Sequence, residues 1–288
     1  MVLKRGNLLH NLWLAAQSLI GRNKSTKPIS QGLLFDSYED RYPRFQNAID
    51  ALPGWTSAFP HELQLIAGNT PLFADGRIHN ALAEYGSIEG LRILEVGPLE
   101  GMHTHILNQG KPASIDAIEA NKSCFLRCLV TKEILNIDRA AFRLGDIQQW
   151  LGSCERQYDF ALASGVLYHM PDPGEFLRLL AEKTEAVFIW THYFDDEEMP
   201  ATDVRRAPFS GKIEVRNIAG MDLRYFERSY QHAEENASFC GGMKDRHFWM
   251  EKNEIVSFLN HLGYTKVTIQ QEHPVHPGGP CFSLLARR

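Results

Sequence analysis

Three carboxylates sit where short apolar runs end, and that placement points to chemistry. Glu95 lies in Ile93-Leu94-Glu95-Val96-Gly97-Pro98-Leu99-Glu100-Gly101, Glu119 closes Ala113–Glu119, and Asp146 follows Ala140–Leu144. A buried anion needs a compensating partner, so Glu95 suits a ligand that carries positive charge, such as a sulfonium with an amino group. A phosphate there would be repelled. Glu119, with Ala120 after it, can accept from both hydroxyls of a ribose, a need common to several nucleoside cofactors. Asp146 can accept from an adenine amino group while Ile147 packs on the ring. It can equally cap the helix that follows, and the two roles coexist. Gly97 lets the chain turn sharply off its strand, and Gly101 lets the next helix pack closely with its amides toward a ligand. His103 is placed to reach a ligand carboxylate or to stand solvated at the helix start.

A fourth apolar run leads into Ala163-Ser164-Gly165-Val166-Leu167-Tyr168-His169-Met170-Pro171-Asp172-Pro173. Tyr168 and His169 are polar aromatics directly after a buried strand, where substrate meets cofactor. They are the candidate catalytic residues. Tyr168 is read as a contact residue; His169 is a base near neutral pH or a structural histidine bonded to backbone. Metal chemistry is not expected. Cys124 and Cys128 lie one helical turn apart, but in an apolar helical pattern that reads as buried thiols. His273-Pro274-Val275-His276-Pro277 places two histidines among prolines in a loop, an unpromising ligand set. Arg205, Arg206 and Arg224 suit an anionic substrate or, more simply, an ion-paired surface.

These residues need a scaffold, and the pattern supplies one. Leu91–Val96, Ala113–Glu119, Ala140–Leu144, Tyr158–Ala163 and Ala186–Trp190 read as buried parallel strands. Helices alternate with them: one from Gly101, one capped by Asn121 and carrying Phe125, Leu126, Leu129, Val130 and Ile134, and one after Pro173. Such alternation implies a doubly wound sheet. Residues 194–246 break the rhythm with strand-like stretches at Ile213–Ile218 and Leu223–Phe226. They read as a lid over the active site, with Phe194, Phe209, Tyr225, Phe226 and Tyr230 facing substrate or packing. A helix through Ile255, Phe258, Leu259 and Leu262 is stopped by Gly263. Strands at Val267–Ile269 and Cys281–Leu285 follow. Ahead of all this, residues 1–87 read as an arm and helical cover, and 88–288 as the main domain.

The run from Ile93 to Gly101, then Glu119, then Gly165-Val166-Leu167-Tyr168-His169, resembles the class I S-adenosylmethionine (SAM)-dependent methyltransferases. Among these it most resembles the family that completes the 5-oxyacetate or methoxy modification of the tRNA wobble uridine. The likeness covers roughly residues 88–193 and 247–270. It implies a Rossmann-like class I methyltransferase fold, an α/β architecture with a seven-stranded, mostly parallel sheet, an N-terminal helical extension and an insertion after strand five. It implies SAM as cofactor, with Glu95, Gly97, Gly101, Glu119, Ser164 and Tyr168 lining its site. Two departures stand out. Leu99 holds a position where the usual motif has glycine, and Pro98 removes an amide donor. The loop is therefore expected to change shape or the cofactor to sit further out. The wobble-uridine enzyme uses a carboxylated SAM and draws on basic residues upstream; Thr70–Asp75 carries no lysine.

Composition narrows the function further. The chain has 288 residues, 44% hydrophobic and 23% charged, with a net charge of -5 and a pI near 6.2. That is globular composition, and mild acidity disfavours nucleic acid as the partner. Five cysteines without regular spacing argue against a disulfide framework and for a reducing, cytoplasmic setting. The apolar stretch near Leu8–Ala16 is too short to span a bilayer and reads as an amphipathic helix. The expected activity is methyl transfer to a small molecule, sugar-like or natural-product. The alternatives are a wobble-uridine tRNA methyltransferase and a non-catalytic protein of the same fold. An NAD oxidoreductase is disfavoured by Glu95 and by the missing G-x-G-x-x-G spacing.

Overall fold

The computed structural model describes residues 38–236 and 238–288. The amphipathic segment expected near the N-terminus lies outside the described residues. By contacts the chain divides into Met1–Pro43 and Arg44–Arg288, and the second unit carries every element below. Its helices are α1 (Phe45–Asp50), α2 (Gly76–Tyr85), α3 (Met102–Gln109), α4 (Lys122–Leu135), α5 (Ile147–Ser153), α6 (Pro173–Lys183) and α7 (Lys252–His261). Its strands are β1 (Arg92–Val96), β2 (Ser114–Glu119), β3 (Ala140–Leu144), β4 (Phe160–Ser164), β5 (Ala186–His192), β6 (Phe209–Ile218), β7 (Met221–Arg228), β8 (His247–Trp249), β9 (Lys266–His273) and β10 (Cys281–Arg287).

Seven strands form the main sheet in the order β3-β2-β1-β4-β5-β10-β9. The first five are parallel, and β10 runs antiparallel between β5 and β9. The Rossmann-like class I methyltransferase fold expected from the sequence is the fold observed. Strand alternation divides the core in two. Leu94, Val96 and Ile118 face a cluster with Ile147 and Leu151 of α5, Phe176 and Leu177 of α6 and Phe258 of α7. Ile93, Ile115 and Ala117 face the other way, against Ile78 of α2 and Ile106 of α3. Burying both faces explains the nearly continuous apolar strands.

Local chemistry sets the helix starts. Asn121 accepts from the amides of Ser123 (2.9 Å) and Cys124 (3.1 Å) and begins α4. Asp172 accepts from Glu175 N, with Pro173 at the first helical position of α6.

The strand-like stretches expected at Ile213–Ile218 and Leu223–Phe226 lie within β6 and β7. The hairpin β6–β7 joins β8 in a separate three-stranded sheet. Leu223, Tyr225 and Phe248 from it enter the main core. The Tyr225 hydroxyl donates to Asp172 Oδ1 (2.7 Å) and accepts from Gly174 N (2.8 Å), which fastens the hairpin to α6. Phe194 and Phe226 stack at 3.7 Å in a satellite cluster with Met199 and Trp249, on which Phe209 packs. Those aromatics pack together rather than line a substrate space.

Candidate active site

A cavity of about 370 Å³ opens beyond the carboxyl ends of β1, β2 and β4, where open α/β sheets bind ligands. Gly97, His103, Glu119, Ala120, Asp146, Ile147, Ser164, Tyr168 and His169 all line it. Glu95 and Gly101 do not. Glu95 points to the same face of the sheet as Ile93, beneath α3, and is fully buried. Desolvation, reinforced by the charge on Glu119, pushes its acid up to about 8 against the opposing Thr104 hydroxyl. At neutral pH it is mostly a neutral acid behind the loop, so it is not the buried anion facing a cationic ligand that the sequence suggested. Gly101 starts α3 at φ 80°.

The loop after β1 keeps its glycine-like shape despite Leu99. Gly97 has φ 64°, and Leu99 itself adopts φ 58°. A left-handed leucine costs roughly 1 kcal/mol, and the surroundings hold it there. Leu99 N donates to Glu119 Oε2 at 3.1 Å, and Leu99 O accepts from the Cys128 thiol at 3.5 Å. The change of loop shape expected from Leu99 is therefore not needed. Glu119 also accepts from Asn121 N at 2.8 Å. Burial raises its pKa while these amides oppose the rise.

Asp146 accepts from Gln148 N at 2.8 Å and lines the cavity, so capping and a ligand-facing position coexist. His103 is buried and bonds Asp75 Oδ2 at 3.0 Å; it is not a solvated helix start. Asp75 also accepts from Arg77 Nε at 2.9 Å. Burial works against the Asp75 charge, but its bonds to His103 and Arg77 hold the carboxyl well below the usual range. Arg77 lies over the Trp190 ring at 4.6 Å, and both line the cavity. Sequence reasoning missed Arg77: it stands two residues past the stretch read as lacking a basic group, on a helix without a motif.

His169 is held by the insertion. Its Nδ1 lies 2.6 Å from the Tyr230 hydroxyl, which in turn accepts from Gly242 N at 2.7 Å. With Gly242 N donating to the hydroxyl, Tyr230 is free to give its proton to Nδ1, and in that tautomer the His169 proton is on Nε2. Burial, with His247 and His192 beside it, pushes His169 down to about 3. Such an imidazole offers an N–H and is a weak base. From the insertion, residues Phe239 to Met243 reach the cavity. A Cβ on Gly242 would lie 2.4 Å from His169 O, so this close approach requires glycine.

Arg205 pairs with Asp203 at 2.7 Å, Arg206 with Asp196 at 2.5 Å, and Arg224 with Glu251 and Glu254. These are ion-paired surface groups. Cys124 and Cys128 are free thiols, raised by burial and bonded within the loop and α4.

No protein-family model and no curated protein matches the chain. Solved structures do. The N-terminal domain of EvdMO1 with SAH bound is similar over 84% of this chain and 94% of that one, with 21% identity and a TM-score of 0.62. The same domain in the presence of SAH and D-fucose gives the same values. A SAM-dependent methyltransferase from Mesorhizobium loti is similar over 75% of this chain and 100% of that one, with 12% identity and a TM-score of 0.50. At these identities the likeness is one of fold.

Proposed function

We propose that the chain is a SAM-dependent methyltransferase with a small-molecule acceptor, a sugar or natural-product group. The observation that carries this is the cavity wall. Glu119, fixed by two amides of the surrounding loops, lines this wall together with Asp146 and Ile147, which supports a reading in which Glu119 accepts from the ribose hydroxyls and Asp146 with Ile147 receives the adenine. Arg77, held together with His103 on the Asp75 carboxylate, puts a cation on the same wall, suited to the methionine carboxylate. This donor set fits SAM. When bound, SAM supplies a methyl group activated on a sulfonium. The protein aligns the acceptor and excludes water with Phe239–Met243, Tyr168 and Trp190. His169 orients an acceptor oxygen through Nε2–H rather than removing its proton. That SAH and D-fucose accompany the EvdMO1 domain is consistent with a sugar-sized acceptor here.

Arg77 also favours a second reading, the wobble-uridine family with its carboxylated SAM, because a cation lines the cavity where Thr70–Asp75 offers none. Calorimetry with SAM, SAH and carboxylated SAM distinguishes the readings. Micromolar binding of SAM and SAH is expected, and tighter binding of the carboxylated form would favour the second. Glu119→Ala should weaken SAM binding roughly tenfold to a hundredfold, the worth of hydrogen bonds to a charged group. Absence of heat with every ligand would leave a non-catalytic binding protein.

A further inference from the structure

His276 meets residues from two strands. His192 closes β5 and Cys281 opens β10, and the two are direct cross-strand partners in the antiparallel ladder. Their side chains therefore project from the same face at close spacing. The turn between β9 and β10 brings His276 over them, its ring 5.1 Å from that of His192. One potential ligand atom from each of the three residues lies within 4.8 Å of the others.

We infer that His192, His276 and Cys281 form a binding site for one divalent transition-metal ion of the zinc class. Tetrahedral zinc with nitrogen at about 2.0 Å and sulfur at about 2.3 Å needs ligand atoms roughly 3.5 Å apart. The observed limit of 4.8 Å closes to that value with a shift of about 1 Å. The turn can supply the shift, since His276 is partly exposed while His192 and Cys281 are buried. His192 is already oriented as a ligand. Its Nδ1 donates to Gly279 O at 2.9 Å, which leaves the Nε2 lone pair available. A backbone carbonyl holding the second nitrogen is the usual support of a metal-bound imidazole. Gly278 keeps the approach open, since a Cβ there would lie 3.3 Å from the His192 ring.

The donor set chooses the ion. Two imidazoles and a thiolate suit zinc or cobalt and reject magnesium or calcium, which take oxygen ligands. Burial raises the Cys281 thiol, whereas Arg77 and a Trp190 hydrogen bond favour its thiolate. Binding releases the thiol proton and requires His276 to give up the contact that its Nδ1 accepts from Gly278 N (3.0 Å). Three protein ligands leave a fourth position open. The His192 ring packs 4.7 Å from Tyr168, which lines the cavity, so the ion would stand behind the cavity wall. The site requires no methyl-transfer activity and stands or falls apart from it.

The test uses the untagged full chain, stripped with a chelator and titrated with zinc and cobalt. One ion per chain is expected, and the cobalt form should show a near-ultraviolet thiolate-to-cobalt charge-transfer band. Cys281→Ser should abolish the band. His276→Ala should weaken cobalt binding roughly a hundredfold. Its position on the turn leaves the sheet intact, checked by circular dichroism, so this variant decides even where Cys281→Ser fails to fold. Absence of stoichiometric binding, a cobalt complex without the band, or unchanged affinity in His276→Ala would overturn the site.

Discussion

Glu95 shows what one buried side chain does to stability. Its carboxyl is fully buried, and desolvation with the Glu119 charge outweighs the Thr104 hydroxyl and puts its pKa at about 8 against an ordinary 4.5. A carboxyl whose folded value is raised contributes fully below pH 4.5, and its contribution is lost as pH rises through about 8. Histidines act in the opposite sense. His169, His192 and His247 are pushed down to about 3, 4 and 4, chiefly by burial, so their contribution is present above 6.5 and lost as pH falls through those values. Between about pH 7 and 9 the histidines are largely neutral whether folded or unfolded, and comparison with Glu95→Gln cancels the buried thiols that also titrate there. Over that range the parent should lose about 1–2 kcal/mol that Glu95→Gln does not lose. Chemical denaturation of both proteins at each pH checks this. Parallel pH profiles would mean that Glu95 ionises in the folded state as readily as in the unfolded one.

Among the elements, the loop after β1 is clamped from behind by a contact without a sequence signature. Glu100 and Arg127 are both buried and pair at 3.3 Å. Glu100 also accepts from the amides of Thr56 and Ser57, each at 2.8 Å, and Arg127 donates to Pro53 O at 2.7 Å. One ion pair thus ties the cover, the loop and α4. Glu100→Leu would strand a buried guanidinium and two amides, at a cost of about 3–5 kcal/mol. Thermal unfolding should fall by roughly 10 °C, and adding Arg127→Leu should restore part of the loss. A double variant no better than the single one would show that the pair does not couple these elements. The strands and α4 were legible because apolar period and an Asn cap are local signals. Glu119 and Asp146 were legible because one ends a strand and the other caps the helix just after one. Glu100, Arg77 and Tyr230 were not: each acts on residues far along the chain, from segments whose pattern is set by packing rather than by period. Leu99 misled in the other direction. Its type argued for a changed loop, yet the bond from its amide to Glu119 holds the conformation that glycine would take freely.

Over the whole molecule, charge and enclosure bear on the acceptor together. The chain carries a net charge of -5, and Arg205, Arg206 and Arg224 are neutralised by acidic neighbours. Arg77 is a cation in the cavity wall, but it too is paired, with Asp75. A nucleic-acid substrate would need several phosphates neutralised at once, and each such contact steepens the salt dependence of binding. A small acceptor inside a cavity roofed by residues Phe239 to Met243 meets few free charges. Raising sodium chloride from about 50 to 500 mM should therefore change kcat/KM for a small acceptor by less than about threefold. A wobble-uridine substrate making six or more phosphate contacts would lose at least a thousandfold over a similar range. A methyl-transfer assay run across that series, with sugar-sized acceptors and bulk tRNA in parallel, separates the two. A steep slope would reassign the acceptor to nucleic acid and would place its binding face outside the cavity, since the cavity itself holds too little unpaired positive charge to produce it.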